Sequence, residues 1–206
     1  MGNAIAILGI HTGIGKTIAS AVIAEATGAD YWKPVQAGLE ERDTTLVAQL
    51  LTNGAERVHR EAVTLSRPMS PHAAAEAEGV VIDYTGFTWP QTDKPLLVET
   101  AGGILSPMSS TTTMADFVAH YQLPAILIVQ NYLGSINHTL LSIEVLRNRN
   151  IKLLGIVING VPERSSETFI EHYAGIPILT RIPHFNKLNN ETIRGYATAI
   201  KSAFKF

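Results

Sequence analysis

A lysine and a threonine at the end of a glycine-rich segment are the first groups that could do chemistry. The segment GIHTGIGKT covers residues 9–17 and ends in Lys16 and Thr17. In such segments the backbone N–H groups surround phosphate oxygens, the lysine reaches the outer phosphates and the threonine hydroxyl ligates Mg²⁺. Five residues separate Gly9 from Gly15, one more than in the standard phosphate loop. The sequence therefore predicts a nucleotide site on an extended phosphate loop.

Two acidic residues further along the chain are candidate partners of a metal ion. Glu99 ends the apolar segment 95–98 and precedes a glycine turn, the position at which phosphate-loop proteins hold Mg²⁺. A buried carboxylate without a partner would be costly, and a cation supplies that partner. Asp43 lies at the predicted start of a helix, where it is either an ordinary first-turn acid or a Mg²⁺ ligand, direct or through water.

Three further segments carry groups suited to ligand binding, each with an ordinary structural alternative. Lys33 ends a short strand before Pro34, so it is either a solvated lysine or a group facing the phosphate-loop crevice. Segment 134–137, Gly-Ser-Ile-Asn, opens a helix as a plain cap or as an anion-binding N-terminus. Asn159 and Gly160 follow an apolar strand, either as a turn pair or with the asparagine hydrogen-bonded to an adenine edge.

Short apolar segments alternate with helical segments along the chain. This pattern predicts a doubly wound α/β fold, a mostly parallel sheet flanked by helices, of the P-loop NTPase type. We predict strands at residues 4–8, 31–33, 95–99, 125–130, 153–158 and 176–179. We predict helices at residues 16–27, 44–51, 71–78, 114–121, 135–147, 166–173 and 191–203.

Start signals precede several of the predicted helices. Ser70 before a proline predicts a capped helix start, and Thr113 with Asp116 resembles a capping box. Asn190 is the predicted cap of the last helix. Segment 80–94 has few periodic positions and is predicted to be irregular.

Length and composition limit the classes of function. The 206 residues favour one domain over residues 1–206. A cysteine count of zero excludes disulfides, thiolate metal sites and a cysteine nucleophile, and it suits the reducing cytoplasm. A formal net charge of −2 provides no basic field, so nucleic acid is not an expected partner. No apolar segment approaches the roughly 20 residues of a membrane span, and residues 1–4 lack the basic region of a secretory signal.

Several motifs, in one order along the chain, together resemble those of the dethiobiotin synthetases, the ATP-dependent enzymes of biotin synthesis. No single motif is specific, but their combination is. The motifs are GIHTGIGKT at 9–17, KPVQAG at 33–38, SPH at 70–72, VETAGG at 98–103, LGSINH at 133–138, GIVIN at 155–159 and IP at 182–183.

The resemblance implies a role for each matching residue. Lys33 and Lys16 would be catalytic, and Mg²⁺ would lie among Thr17, Asp43 and Glu99. The residues implied to contact ATP are Gly13, Ile14, Gly15, Lys16, Thr17, Ile18, Asp43, Glu99, Thr100, Ala101, Gly102, Asn159, Gly160, Pro183, His184 and Phe185. The residues implied to contact the substrate, 7,8-diaminononanoate, are Thr12, Lys33, Ala37, Gly38, Gly134, Ser135, Ile136 and Asn137. The family's enzymes are homodimers in which the 134–137 helix start reaches the substrate carboxylate across the interface.

The implied reaction joins CO₂ to the diamine, activates the carbamate with ATP and closes a ureido ring, giving dethiobiotin, ADP and phosphate. Two residues depart from the family pattern. His11 stands at a loop position that is usually Asp, and Ala37 stands where a Ser or Thr usually helps to bind the substrate. Loss of one such hydrogen bond costs about 0.5–1.5 kcal/mol, so we expect altered affinity and not lost activity.

Two other classes of function share the phosphate loop. A regulatory ATP-binding module would need neither Lys33 nor segment 134–137, and both are present here. A partitioning-type ATPase switch usually carries a second lysine near the start of the loop, whereas residues 9–12 are Gly-Ile-His-Thr. The sequence favours the synthetase over both alternatives.

Overall fold

The computed structural model describes residues 3–204; Met1 and Gly2, part of the segment assessed for a secretory signal, lie outside this range. Its strands are β1 (Ala4–Gly9), β2 (Asp30–Trp32), β3 (Val35–Ala37), β4 (Val58–His59), β5 (Val63–Leu65), β6 (Leu96–Glu99), β7 (Ala125–Val129), β8 (Leu153–Asn159) and β9 (Ile178–Ile182). Its α-helices are α1 (Lys16–Thr27), α2 (Asp43–Leu50), α3 (Gly54–Arg57), α4 (Pro71–Glu78), α5 (Met114–His120), α6 (Ser135–Asn148), α7 (Arg164–Ala174) and α8 (Asn190–Ile200).

The main sheet has β1 at its centre. Within residues 3–204 its strand order is β4-β2-β6-β1-β7-β8-β9, and every neighbouring pair is parallel. Alternate residues of β1 enter two hydrophobic cores: Ile5 and Ile7 join the core that contains residues of α1 and α8, and Ala6 and Leu8 join the core that contains residues of α5 and α6. Helices therefore cover both faces, which confirms the predicted α/β fold class.

The parallel sheet explains how distant residues come together. The carboxyl ends of its strands lie at one edge, and the loops that bind ligands in such sheets follow those ends. The phosphate loop follows β1, Lys33 follows β2, and Glu99 and Asn159 end β6 and β8. Ile7 of β1 pairs with Glu99, so the acid lies beside the start of the phosphate loop.

The predicted elements are confirmed, with ends that shift by at most three residues. Four short elements were missed. Strands β3 and β5 form a separate parallel pair, in which Val35 faces Val63 and Ala37 faces Leu65. Strand β4 is a two-residue edge strand beside β2, and α3 is a single helical turn. Each element spans four residues or fewer, too short for a periodic pattern.

The helix caps give mixed outcomes. The capping box of Thr113 and Asp116 is confirmed, with both reciprocal hydrogen bonds formed. Asn190 as the last cap is wrong, because Asn189 accepts from the Thr192 N–H while the Asn190 amide donates to the Leu50 carbonyl. The Ser70 hydroxyl pairs with His72 Nδ1 instead of capping its helix. Segment 80–94 contains one 3₁₀ turn, Tyr84–Gly86, and is otherwise irregular.

Arg57 is a buried side chain that binds the end of α1, a role that the sequence analysis did not predict. Its guanidinium pairs with Glu25 at 2.8 Å and donates to the Ala24 and Ala29 carbonyls at 2.5 and 2.7 Å. We expect Arg57→Met to lower the free energy of unfolding by about 3–5 kcal/mol, because it removes the donor to two buried carbonyls and the counter-charge of Glu25, which keeps only its hydrogen bonds from Thr52. Urea denaturation measures the loss.

Arg149→Met is the matched control for this prediction. Arg149 forms a partly exposed ion pair with Asp116, and such pairs contribute about 0–1 kcal/mol. Equal losses in the two variants would show that the Arg57 contacts add little beyond an ordinary surface pair.

Candidate functional site

The phosphate loop has the backbone that its glycines predicted. Gly13 and Gly15 both have φ +80°, in the left-handed region, and α1 begins directly after Gly15. A β-carbon on Gly15 would lie well inside contact distance of Asn159 Nδ2. That amide donates to the Ile14 carbonyl at 2.7 Å, so the end of β8 holds the loop in place. The loop N–H groups and the helix N-terminus form a site for an anion.

Lys16 lies inside this loop and is 6% exposed. Its ammonium donates to the Gly102 carbonyl at 2.6 Å and to the His11 carbonyl at 3.3 Å. The pKa of Lys16 is lowered to about 8, chiefly because the ammonium is buried; the Glu99 carboxylate opposes the shift, the Lys33 charge adds to it, and Asp43 opposes it weakly. A bound polyanion would favour the charged form of this side chain.

Three oxygen donors converge beside the loop. The Thr17 hydroxyl lies 2.5 Å from Asp43 Oδ1 and 3.1 Å from Glu99 Oε1. They come from the first turn of α1, the first residue of α2 and the end of β6. A hydroxyl and two carboxylates suit Mg²⁺, which prefers oxygen ligands and keeps several waters. Residues 3–204 contain no cluster of three or more histidine or acidic side chains that could hold a metal ion.

Lys33 contacts the same two acids. Its ammonium pairs with Asp43 and lies 3.4 Å from Glu99 Oε1, and the residue is 6% exposed. Burial alone would lower the pKa of Lys33, but the Glu99 and Asp43 charges outweigh it, so the pKa is raised. Lys33 is therefore a fixed cation at neutral pH and is not suited to act as a base.

A cavity of about 420 Å³ opens beside this cluster. Thr12, Lys33 and Ala37 line it, as do Ala101 and Gly102 of the loop after β6. The structure therefore brings three predicted substrate residues to one cavity next to the phosphate loop. Gly38, with φ +88°, closes the β3–β5 pair by donating its N–H to the Leu65 carbonyl.

The remaining predicted residues lie in α1 or directly after the ends of β6, β8 and β9. Thr100 is buried and donates to the Ile7 carbonyl, and Ile18 packs against the α1 core. Gly160 donates to the Ile182 carbonyl, and its Cα faces the His184 ring. Pro183 is exposed, and the Phe185 ring contacts Tyr196 at 5.6 Å.

Segment 134–137 begins α6 beside the phosphate loop. Gly134 has φ +100° at the cap position, and Ser135 is buried while Asn137 is exposed. The ring of Tyr132, just before the segment, contacts the His11 ring at 5.2 Å. Ile136 is partly buried against the core.

Ser20 and Tyr31 are site residues that the sequence analysis missed. Both donate hydrogen bonds to Glu99 Oε2, at 2.7 and 3.0 Å. Burial raises the pKa of Tyr31 well above its ordinary value, and the Glu99 charge acts in the same direction, so the phenol stays protonated. Ser20 lies three residues after Thr17 in a helix and Tyr31 lies two residues before Lys33, so the sequence could place each of them on the same face as a predicted site residue. It could not show that both contact Glu99, because that contact depends on how distant strands pair.

Comparisons with known proteins show the family to which this chain belongs. A sequence family described as "AAA domain" matches residues 3–192. The ATP-dependent dethiobiotin synthetase BioD of Nitrobacter hamburgensis is 44% identical over 94% of this chain and 92% of its own length. The protein of the same name from Cytophaga hutchinsonii is 42% identical over 94% of this chain and 95% of its own length. This chain belongs to the dethiobiotin synthetase family. The resemblance found in the motifs is confirmed.

Solved structures similar to this dethiobiotin synthetase family member confirm the P-loop NTPase fold. The septum site-determining protein MinD of Pyrococcus horikoshii, complexed with Mg-ADP, has a TM-score of 0.55 at 13% identity, covering 98% of this chain and 94% of that one. MinD of Aquifex aeolicus has a TM-score of 0.54 at 16% identity, with the same coverage. At such identities the likeness concerns the fold alone. Among the described residues, no helix is long and apolar enough to cross a membrane.

Proposed function

We propose that this chain is an ATP-dependent cyclo-ligase that makes dethiobiotin from 7,8-diaminononanoate and CO₂ in the cytoplasm, as one domain over residues 1–206. The observation that carries the proposal is the position of Lys33. This fixed cation lines the cavity and contacts the two carboxylates that lie beside Thr17 of the phosphate loop. A P-loop ATPase without a small substrate needs no such lysine.

The reaction requires three bond-forming steps. One amine of the diamine attacks CO₂ and loses a proton to give a carbamate. A carbamate oxygen attacks the γ-phosphorus of ATP, ADP leaves, and a carbamic–phosphoric anhydride forms. The second amine attacks the carbonyl carbon, loses a proton and expels phosphate, which closes the ureido ring.

The charged residues beside the phosphate loop suit this series of reaction steps, because the carbamate and the anhydride are both anions. Lys16 binds the outer phosphates, and Lys33 neutralises the carbamate and the anhydride as the phosphoryl group moves between them. Thr17, Asp43 and Glu99 would hold Mg²⁺, which would neutralise phosphate charge. Positioning and charge neutralisation account for phosphoryl transfer, so no side-chain nucleophile is needed.

The other predicted residues complete two binding surfaces. The loop backbone from Gly13 to Ile18 and the 99–102 turn surround the phosphates, and Asn159, Gly160 and the 183–185 loop face adenine. Thr12 and the backbone at Ala37 and Gly38 contact the diamine. Ala37 offers no hydroxyl to the cavity, so we expect weaker substrate affinity with the reaction preserved.

The functional unit is a homodimer in which the 134–137 helix start of one subunit binds the substrate carboxylate of the other. Exposed apolar side chains near this helix start support the proposed dimer. Leu133 is fully exposed, and Leu105 and Leu141 are half-exposed on the groove between the 103–107 turn and α6. A dimer interface would cover this apolar surface.

Phosphate release by the purified protein tests the proposed activity. We expect release from ATP only when the diamine, CO₂ and Mg²⁺ are all present, with one dethiobiotin formed per phosphate, because the carbamate is the only acceptor of the phosphoryl group. Coupled phosphate detection and mass spectrometry of the product measure both quantities. A diamine-independent rate of equal size would favour the ATPase switch. ATP binding with no product would favour a regulatory module.

A further inference from the structure

The two oxygens of the Glu99 carboxylate have different partners. Oε2 accepts from the Ser20 hydroxyl at 2.7 Å and from the Tyr31 phenol at 3.0 Å. Oε1 faces the Thr17 hydroxyl at 3.1 Å and the Lys33 ammonium at 3.4 Å. Glu99 is 1% exposed, so contacts with the surrounding side chains and not with solvent determine the orientation of the carboxylate.

The two donors on Oε2 come from independent elements. Ser20 lies on α1, one turn after Thr17, and Tyr31 lies on β2, two residues before Lys33. Tyr31 pairs with Leu97 of β6, two residues before Glu99, so phenol and carboxylate lie on the same face of neighbouring strands. Both donors are fully buried, at 0% exposure. Water therefore does not compete for these hydrogen bonds.

A carboxylate turns readily about its last side-chain bond, because that torsion is broad. Two hydrogen bonds to one oxygen fix the plane of the group and direct the other oxygen. Groups that orient a metal ligand in this way contribute strongly to metal affinity although they never touch the metal.

We propose that Ser20 and Tyr31 are positioning residues for the divalent cation: together they hold Glu99 so that Oε1 points toward the cation-binding space beside Thr17. This inference rests on the proposed function, in which Glu99 is a Mg²⁺ ligand. It assigns a role in metal affinity to two buried hydroxyls that carry no such role in any motif of the sequence.

Mn²⁺ binding to the protein–ADP complex, measured by electron paramagnetic resonance, tests the inference without turnover. We expect Ser20→Ala and Tyr31→Phe each to weaken Mn²⁺ affinity about tenfold, within the 10–100-fold range typical of outer partners of metal ligands. ADP affinity in EDTA should stay within about twofold of the wild type, because neither hydroxyl contacts the phosphate loop. If one of the two variants folds poorly, the other still tests the inference, because each removes one donor to Glu99 Oε2.

Tyr121→Phe is the matched control, since its phenol donates to the Tyr84 carbonyl at 2.6 Å, away from Glu99. Its Mn²⁺ affinity should equal that of the wild type. If Glu99→Gln weakens Mn²⁺ binding but Ser20→Ala and Tyr31→Phe do not, the positioning role is overturned and the proposed function stands. If Glu99→Gln also has no effect, the metal role of Glu99 fails and the inference fails with it. Equal losses of ADP affinity in EDTA would indicate general damage and would also overturn the inference.

Discussion

Replacing Lys16 with methionine is expected to abolish ATP turnover and, at the same time, to make the protein more stable in the absence of ATP. In the proposed reaction this ammonium binds the outer phosphates, and residues 9–17 contain no other lysine or arginine that could replace it. Loss of one such preorganised contact lowers kcat by about 10²–10³-fold or more. The methionine keeps the length of the stem, which packs against the phosphate loop.

The gain in stability follows from the pKa of Lys16, which burial lowers from its ordinary 10.5 to about 8. Between these values the unfolded chain holds a proton that the folded chain has released, so this group makes stability rise with pH. Below pH 8 the folded protein carries the full cost of a buried charge, on the order of 3 kcal/mol. Lys16→Met removes that cost, less the hydrogen bonds to Gly102 and His11.

Urea denaturation at two pH values measures this effect. At pH 7 we expect Lys16→Met to raise the free energy of unfolding by about 2 kcal/mol, and at pH 9.5 we expect a smaller gain, because Lys16 is then neutral in the folded wild type. Lys152→Met is the control, since Lys152 is an exposed lysine and its loss should change stability by less than about 0.5 kcal/mol. A variant that is less stable at pH 7, or one that turns over ATP at close to the wild-type rate, would contradict the prediction.

The sequence was sufficient where chemistry follows from a local pattern at the end of a strand. Thr17 lies in the phosphate-loop motif, and Glu99 ends an apolar strand before a glycine turn, so these two positions alone predicted that the hydroxyl and the carboxylate share one metal site. Asp43 and Lys33 had equally good structural alternatives in the sequence. The hydrogen bond from Thr17 and the shared ion pair now place both of them in the cluster.

The sequence was insufficient where the partner lies far away in the chain. Ser20 is 79 residues from Glu99, and Tyr31 is 68 residues from it. Their types, a serine within a helix and a tyrosine within a strand, are equally typical of ordinary packing. The role of Arg57 was missed for the same reason, because two strands and a helix separate it in the chain from its partners at the end of α1.

The two buried lysines illustrate why burial alone does not predict a role. Lys16 and Lys33 are equally exposed, at 6%, yet their pKa values shift in opposite directions. Lys33 forms ion pairs with two carboxylates, whereas Lys16 donates only to carbonyls. Lys16 therefore costs stability at neutral pH and Lys33 contributes to it. Because the pKa of Lys33 is raised, its contribution is constant below pH 10.5 and is lost only as pH rises through the raised value.

Lys33→Met is expected to lower the stability that Lys16→Met raises, although both variants should lose product formation. Loss of Lys33 leaves Asp43 and Glu99 without their cation, so the free energy of unfolding should fall by about 3–5 kcal/mol. Mg²⁺ with ADP should restore much of this loss, because the metal supplies the missing charge. ATP affinity should stay within about threefold of the wild type, since Lys33 contacts the acids and not the loop. Dethiobiotin formation should fall by about 10³-fold, because the carbamate and the anhydride lose their counter-charge.

Lys33→Arg separates charge from geometry. Arginine keeps the positive charge, so the variant should unfold within about 1–2 kcal/mol of the wild type and bind ATP normally. Its broad, planar guanidinium cannot replace a compact ammonium between two carboxylates and a substrate, so ring formation should still fall by about 10²-fold. Calorimetry measures the ATP affinity, urea denaturation measures the free energy of unfolding and product analysis measures ring formation, all on the same samples. Retained ring formation in Lys33→Met would remove Lys33 from the mechanism, because a folded, ATP-binding protein would then make dethiobiotin without that charge.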